Sequence, residues 1–574
     1  MPAKSELLGA LRRYWGYDSF RPMQEKIVGS LLGGRDACVI MPTGGGKSLC
    51  YQLPAALLDQ QTVIVVSPLI ALMQDQVAQL AQMGLSAALL NSSLSSAEQS
   101  VVMRKAAHGD YRLLYLSPER LAREDTIRWL QKVPVSFFAI DEAHCISEWG
   151  HEFRPEYRQL SSLRKNFPEK PIAAFTASAT QHVRHDIVKQ LQLRAPDKYL
   201  ASFHRPNLRY LVQECDARSQ EPLLLKTLRR HAGSNTIVYA PTTAKVDEMV
   251  ESLSAQGIAA VGYHGKMDTD TRRRNQERWM SDEVRVLVGT LAFGLGINKA
   301  AVRAVIHLAL PKSIEQYYQE AGRAGRDGAE ADCLLLWQKR DVGLLAYFIE
   351  QLTDAAEKKR AWDRYREIKS FAEASYCRHR RICEHFGEKF KLPRCGSCDV
   401  CGCGTDWMAA PDLSKPVKRK KKFATTNPAP ATGRHYAPSE ERSTPRAARH
   451  DYGEDLRAWQ RFKEQNGKPA KPSPAPGAAV SEAEAELREY LREWRRNTAR
   501  EQGTAAFIVM HDASLNALCQ RQPRTLSELL EVSGFGERKV ELYGQQILDA
   551  LKRFREGERA AATEARPKSA AVAV

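Results

Sequence analysis

The sequence predicts an α/β protein: two parallel-sheet lobes, then a helical metal-binding module, a disordered linker and a small all-α bundle. Three observations carry that expectation. Short, continuously apolar runs alternate with longer amphipathic stretches, as buried parallel strands joined by helical crossovers do. The alternation occurs twice in a chain of 574 residues, longer than one domain usually is. A glycine-rich loop and an acidic pair each follow an apolar run, and the C-terminal ends of strands are where open α/β sheets present ligands.

In the first lobe (residues 1–202), Ala37–Met41, Thr62–Ser67, Leu113–Ser117, Phe137–Ile140 and Ile172–Thr176 read as strands, and Leu72–Met83 as a helix between them. In the second (203–340), Thr236–Tyr239, Ala259–Tyr263, Arg285–Gly289, Val302–His307 and Cys333–Trp337 read as strands. Ser202–Arg209 reads as the hinge. The chain then reads as helix from Asp341 to about Ser375, followed by a cysteine cluster, which together form a module over 341–403. Residues 404–480 are rich in Pro, Ala and Lys without apolar periodicity, the composition of a disordered linker. Helical spacing of Leu487, Tyr490, Leu491 and Trp494 marks a bundle over 481–556, and 557–574 form a tail.

The formal net charge is +17, which favours a polyanionic partner, chiefly nucleic acid. No run of eighteen apolar residues suits a membrane span, so no membrane partner is expected. The first residues, Met1–Glu6, lack a signal-peptide core. Twelve cysteines in such a chain suggest buried thiols and a metal rather than a disulfide framework.

The strand Ala37–Met41 runs into Thr43-Gly44-Gly45-Gly46-Lys47-Ser48 and then a helix. Glycines let backbone N–H groups wrap the phosphates of ATP. Lys47 meets the β- and γ-phosphates, and Ser48 ligates Mg²⁺. The usual pattern starts with glycine where this chain has Met41. A glycine-rich turn without a ligand is the bland alternative. Asp141-Glu142 ends another strand; Asp141 would hold Mg²⁺ through water and Glu142 orient the attacking water. An acidic pair at a helix start is the alternative. Arg323 and Arg326 follow a helix over Ile314–Glu320 among small residues; Arg326 is the expected arginine finger, with Arg323 on phosphate or on Glu142. Cys377, Cys395, Cys398 and Cys401 suit a closed tetrahedral Zn²⁺ site, with an iron–sulfur cluster as rival and Cys383 and Cys403 as spare ligands. Arg378, Arg380 and Arg381 beside them offer either phosphate contacts or a solvated face.

These stretches resemble RecQ-type DNA helicases of superfamily 2. The resemblance covers roughly residues 7–403 and 483–556. It rests on Gly16–Gln24, the Lys47 loop, Asp141–Pro155, Thr176–Thr180, Ala292–Lys299 and the Arg323/Arg326 segment, with Trp149–Pro155 the most family-specific. It implies RecA-like lobes, with Tyr17 stacked on adenine and Arg21 and Gln24 near the base. It implies that the loop bearing Trp149, His151, Phe153 and Arg154 senses single-stranded DNA, and that Thr176 and Thr180 link ATP state to lobe motion. It favours Cys377 over Cys383 as a zinc ligand. Ala506–Leu515 and Val532–Lys539 resemble an HRDC domain, whose Gly534 and Gly536 either let amides approach phosphate or form a plain interhelix turn.

Long members of the family carry a winged-helix domain where this chain has 404–480. That interval is too short and too polar for it, so weakened duplex gripping is expected, with Lys418–Lys422 available to hold DNA by charge. Tyr239–Thr243 also departs from the family pattern, though Thr242 and Thr243 can still donate to phosphate.

The resemblance implies ATP-driven 3′→5′ translocation on single-stranded DNA and unwinding of forked DNA in recombination and repair. It implies a single-strand-binding protein as partner and a bacterial cytoplasm. A DNA-stimulated translocase without unwinding, and a non-enzymatic annealing scaffold, are the alternatives.

Overall fold

The computed structural model describes residues 2–91, 94–150, 152–290, 299–408, 482–502, 504 and 506–560. Strands of the first lobe are β1 (Ala37–Ile40), β2 (Thr62–Val66), β3 (Ala87–Leu90), β4 (Leu113–Leu116), β5 (Val135–Ile140), β6 (Ile172–Thr176) and β7 (Asp197–Leu200). They form one parallel sheet in the order β3–β4–β2–β5–β6–β1–β7. Strands of the second are β8 (Leu208–Glu214), β9 (Asn235–Tyr239), β10 (Ala260–Tyr263), β11 (Val286–Gly289), β12 (Val302–His307) and β13 (Ala331–Trp337). They form a second parallel sheet, β10–β11–β9–β12–β13–β8. Two parallel sheets of this kind agree with the fold class expected.

The expected runs match strands closely, but β3, β7 and β8 were not expected. All three lie at sheet edges. A central parallel strand is buried on both faces and reads as an unbroken apolar run, as Thr62–Val66 does. An edge strand is partly solvated; β7 alternates half-buried and exposed residues and begins with Asp197 and Lys198. The hinge is shorter than expected, because β8 already starts at Leu208.

Alternate residues of the central strands feed two cores. Val39, Val63, Val65, Phe137 and Phe175 pack with Leu11, Ile27 and Val28 of the N-terminal helices. Ile40, Ile64, Val66, Phe138 and Ile140 face the other side, in a core that continues into the second lobe and the cysteine module. Burying a residue such as Ile64 contributes about 1.5–3 kcal/mol.

The stretch expected as one helix is two, Lys339–Glu350 and Ala355–Glu373. The module grips the hinge. Glu388 accepts from Ser202 Oγ (2.6 Å) and Phe203 N (2.7 Å), and Phe203 stacks on Phe386 at 4.2 Å.

The C-terminal bundle comprises helices Glu482–Glu501, Ala506–Val509, Asp512–Arg521, Leu526–Leu530 and Glu537–Arg555 around Leu487, Leu491, Leu518, Leu529 and Tyr543. It rests on both lobes. On the first, Gly534 N donates to Gly16 O (3.0 Å) and Tyr543 Oη to Gln82 Oε1 (2.8 Å). On the second, Arg495 Nη2 lies 3.3 Å from Asp282 Oδ2. Gly534 and Gly536 therefore serve backbone contact: a Cβ on Gly536 would sit 2.4 Å from Arg13 O. The Gly534 amide considered for phosphate is already bonded. The linker 404–480, apart from 404–408, and the basic run Lys418–Lys422 lie outside the described residues.

Candidate active site

Strand order creates the site. β5, β6 and β1 are neighbours, so the segments leaving their C-terminal ends meet although 41 and 141 are far apart in sequence. Met41 N continues the ladder to Thr176 O (3.0 Å).

The phosphate loop leaves β1. Gly44 and Gly46 have φ of +82° and +83°, a region open to glycine and strained for other residues. Close approach adds a second requirement, since a Cβ on Gly46 would lie 2.4 Å from Gln24 Nε2. Lys47 opens the helix Lys47–Leu57 with Ser48 in its first turn, and Lys47 Nζ donates to Met41 O (3.2 Å). N–H groups at the start of a helix that follows glycines suit a polyphosphate. Arg21 and Gln24 brace this loop. Arg21 Nη1 donates to Gly44 O and Gln24 Nε2 to Gly46 O (3.1 Å), while Gln24 Oε1 accepts from Arg21 N (2.9 Å). Both were expected beside the base; here they hold the loop's carbonyls. Tyr17 is exposed.

Asp141 and Glu142 follow β5. Asp141 N donates to Val66 O (2.8 Å), and Tyr157 Oη donates to Asp141 O (2.9 Å). Burial and the Glu142 charge push the Asp141 carboxyl up to about 7, against Lys47. A divalent cation beside Lys47 would supply the missing countercharge, so these donors fit Mg²⁺. Glu142 sits at φ +46°. His144 is buried and forms ion pairs with Glu142 (3.3 Å) and Glu152 (3.8 Å), so its burial is compensated. Against the cost of burial, Cys145 and the two carboxylates raise its pKa well above the usual histidine value.

From His144 a polar relay crosses to the second lobe. His144 Nδ1 meets Thr176 Oγ1 (2.8 Å), Thr176 Oγ1 donates to Ser178 O (3.2 Å), and Gln319 Nε2 donates to Ser178 Oγ (2.8 Å). Gln319 lies on the helix Ile314–Ala321 that leads to Arg323 and Arg326. Thr180 is not in the relay; it caps the helix Gln181–Gln190, its Oγ1 accepting from Val183 N (3.4 Å).

Arg326 reaches the phosphate loop: a Cβ on Gly44 would lie 3.3 Å from its Cγ. Burial and the neighbouring Arg323 and Arg205 lower its pKa to about 9. Cations gathered this closely suit a phosphate. Arg205 was not expected. It stands in the hinge, outside every motif that sequence spacing highlights.

The aromatic loop follows Ala143–Ile146. Gly150 permits its turn, because a Cβ there would sit 2.8 Å from His144 O. Trp149 is 61% exposed, with Arg360 of the cysteine module 5.9 Å from its ring. Arg158 lies 5.4 Å from the Phe153 ring, and Arg154 Nη1 donates to Pro68 O (3.4 Å). His151 and the Ala292–Asn298 part of the downstream motif lie outside the described residues.

The sulfurs of Cys377, Cys395, Cys398 and Cys401 lie within 4.8 Å of one another. Four thiolates at tetrahedral spacing fit Zn²⁺ with no open position. Cys383 and Cys403 are outside the cluster. Arg378 is not a phosphate contact: it is buried, donating from Nη2 to Asp399 Oδ2 (2.8 Å). Arg381 Nη2 donates to Ser370 Oγ (3.3 Å) and Arg380 Nη2 to Leu392 O (3.3 Å). None of the described helices is long and apolar enough to cross a membrane.

Comparison with known proteins agrees with this layout. The DEAD/DEAH box helicase model matches residues 21–186, and the helicase conserved C-terminal domain model 219–328. The RecQ zinc-binding model matches 339–402 and the HRDC domain model 484–551. An ATP-dependent DNA helicase RecQ of Pasteurella multocida is 35% identical, with 97% of this chain and 95% of the relative covered. One from Bacillus subtilis is 35% identical, covering 95% and 98%. One from Haemophilus influenzae is 42% identical, covering 69% and 64%.

Proposed function

Since the chain belongs to the RecQ family of ATP-dependent DNA helicases, we propose that it hydrolyses ATP to move 3′→5′ along single-stranded DNA and to part forked duplexes in recombination and repair. ATP and Mg²⁺ are its cofactors, and Zn²⁺ its structural ion. The observation that carries the reading is the meeting of Lys47, Asp141–Glu142 and Arg326 at one cleft between two lobes.

Phosphoryl transfer needs positioning and charge neutralisation more than covalent chemistry. Lys47 and the loop amides hold the β- and γ-phosphates. Ser48 and Asp141 take the Mg²⁺, which neutralises phosphate charge when bound. Glu142 orients the attacking water, and Arg326 stabilises charge at the γ-phosphate beside Arg323. Thr43 and Gly44–Gly46 line the phosphates. Tyr17 stacks on adenine, with Arg21 and Gln24 near the base and bracing the loop beside it. Trp149, His151, Phe153 and Arg154 contact single-stranded DNA by stacking and charge. Thr176 carries its effect through the His144–Gln319 relay, with Thr180 anchoring the following helix. Cys377, Cys395, Cys398 and Cys401 hold zinc.

We assign domains to 1–202, 203–340, 341–403, a basic linker 404–480, an HRDC domain 481–556 and a tail 557–574. A single-strand-binding protein is the partner proposed on the family reading. The bacterial cytoplasm, beside the nucleoid, is the proposed compartment.

The test is ATP hydrolysis with and without single-stranded DNA, for the wild type and Glu142→Gln, beside strand separation of a forked duplex. DNA should stimulate hydrolysis strongly, and Glu142→Gln should lose about 10²-fold or more in kcat. Hydrolysis indifferent to DNA would overturn the reading. The Pro-, Ala- and Lys-rich interval 404–480 favours one second reading, a translocase that hydrolyses ATP on DNA without parting forks.

A further inference from the structure

The hinge carries a guanidinium that touches both sides of the nucleotide cleft. Arg205 Nη1 donates to Thr43 O of the phosphate loop (3.1 Å). Its Nη2 donates to Gly325 O (3.1 Å) and Ala324 O (3.4 Å), between Arg323 and Arg326. Its Nε reaches Asn207 Oδ1 (3.4 Å). One planar, rigid fork thus spans the backbone of the loop and the backbone of the arginine segment.

The surroundings are built for this contact. Asn207 Nδ2 donates to Gly325 O (2.9 Å) and Ala329 O (3.0 Å). Gly325 has φ +53°, and a Cβ on it would lie 2.5 Å from Asn207 Nδ2, so glycine is required where Arg205 and Asn207 converge. The Arg205 backbone is held as well. His379 Nε2 meets Arg205 O (3.1 Å), and Ser202 and Phe203 are fastened to Glu388 and Phe386. The helix bearing His379 starts next to Cys377, one of the four clustered thiols. The zinc module therefore fixes the stem of Arg205, and Arg205 fixes the loop and the finger segment.

Resting on the ATPase reading above, we propose that Arg205 is a positioning residue of this ATPase: by holding Thr43 O and Ala324–Gly325 O on one guanidinium, it sets the distance from the phosphate loop to Arg326. Four of its five N–H donors meet protein oxygens, so its action runs through the loop and Arg326. Its charge also lies close enough to help lower the Arg326 pKa, together with burial and Arg323. The spacing that Arg205 sets is used once Arg326 has a γ-phosphate to meet, so Arg205 matters more when that site is filled than when it is empty.

The test uses the full chain with Arg205→Gln and Arg205→Lys, after the wild type has shown DNA-stimulated hydrolysis. Failure of the wild type sinks the ATPase reading. Failure in the variants sinks only the role of Arg205. Affinity is measured for ADP alone and for ADP with aluminium fluoride, which imitates the phosphoryl group in transfer. In Arg205→Gln, kcat should fall by about 10- to 100-fold and affinity for ADP–aluminium fluoride should fall in parallel, as when a group acting on the transition state is removed. Affinity for ADP alone should stay within about threefold of wild type. Arg205→Lys keeps the charge and most of the stem but gathers its donors on one nitrogen, without the planar fork that spreads Nη1 and Nη2 to Thr43 O and Gly325 O, so it should not restore kcat. Zinc content equal to wild type identifies a folded variant. A kcat within threefold of wild type in folded Arg205→Gln, full rescue by Arg205→Lys, or equal losses for ADP and its aluminium fluoride complex would overturn the proposal.

Discussion

The contact of the HRDC bundle with the second lobe centres on one buried carboxylate, beside a more exposed pair between Arg285 and Glu489 (3.6 Å), and Asp282→Asn tests it. Asp282 is almost wholly buried. It lies 2.7 Å from Lys299 Nζ, 3.3 Å from Arg285 Nη1, 3.3 Å from Arg495 Nη2 and 3.6 Å from Arg492 Nε. Lys299 and Arg285 belong to the lobe, Arg492 and Arg495 to the bundle. Asparagine keeps the side chain's shape and tolerates the positive φ of +66° at this position, so the change removes mainly charge. Breaking a buried ion pair from one side costs about 3–5 kcal/mol. Part of that falls within the lobe, where Lys299 still has Trp279 O (2.8 Å) and Met280 O (3.0 Å). On the bundle side Arg495 keeps Asp512 (2.8 Å). The share acting on docking is therefore near one charged hydrogen bond, about 2 kcal/mol, or roughly 30-fold in the docking equilibrium.

Hydrogen exchange reads that shift directly. The bundle rests on both lobes at once, so a weaker hold on the second makes complete lifting easier; the Gly534 amide, bonded to Gly16 O of the first lobe, exchanges when the bundle lifts away. In Asp282→Asn, exchange of the Gly534 amide should quicken by about 30-fold, while Val532 and Phe535, bonded inside the bundle, and the core over 543–551 stay protected. The four cations, working against burial, hold the Asp282 carboxyl well below its usual range. Its contribution is thus complete above the ordinary carboxylate pKa and is lost only as pH falls through the depressed value. The difference between wild type and variant should stay level from about pH 5 to 8. Unchanged protection of Gly534 in a folded variant would refute the reasoning.

Two further outcomes are expected. The purified chain should carry one equivalent of zinc, measured by metal analysis; Cys398→Ser should lose it and melt at a lower temperature, because a closed thiolate site contributes directly to folding. His385 ties the zinc module to the second lobe through Glu315 (2.8 Å) and is held inside the module by Glu367 (3.2 Å), and these carboxylates overcome burial to raise its pKa to about 9. A raised histidine stabilises fully below its unfolded value of about 6.5 and loses that effect as pH rises through about 9, so His385→Asn should cost about 3 kcal/mol at pH 6 and little at pH 10. Melting temperatures at the two pH values check this; an equal loss at both would contradict it.

The sequence by itself determined the features written in short windows. Apolar runs gave the central strands, glycines followed by Lys47 gave the phosphate loop, and the spacing of Cys395, Cys398 and Cys401 gave the metal site. Each depends on neighbours a few residues apart, where periodicity and turn chemistry act. Edge strands β3, β7 and β8 escaped because half-solvated strands lose the continuous apolar signature. Only the tertiary structure decided the rest. Strand order, not spacing, put Asp141, Thr176 and Lys47 side by side, since parallel pairing joins segments separated by long crossovers. Arg205 sits in an unmarked hinge, and its partners are backbone carbonyls, which any residue supplies and no sequence pattern reveals. Gly534 and Gly536 read as a turn or a phosphate contact until the segment Arg13–Gly16 bonded to the amide of the one and filled the space beside the other. Asp282 and Arg495 are 213 positions apart; their pairing exists because the bundle's buried face and the lobe's buried charge had to be satisfied together.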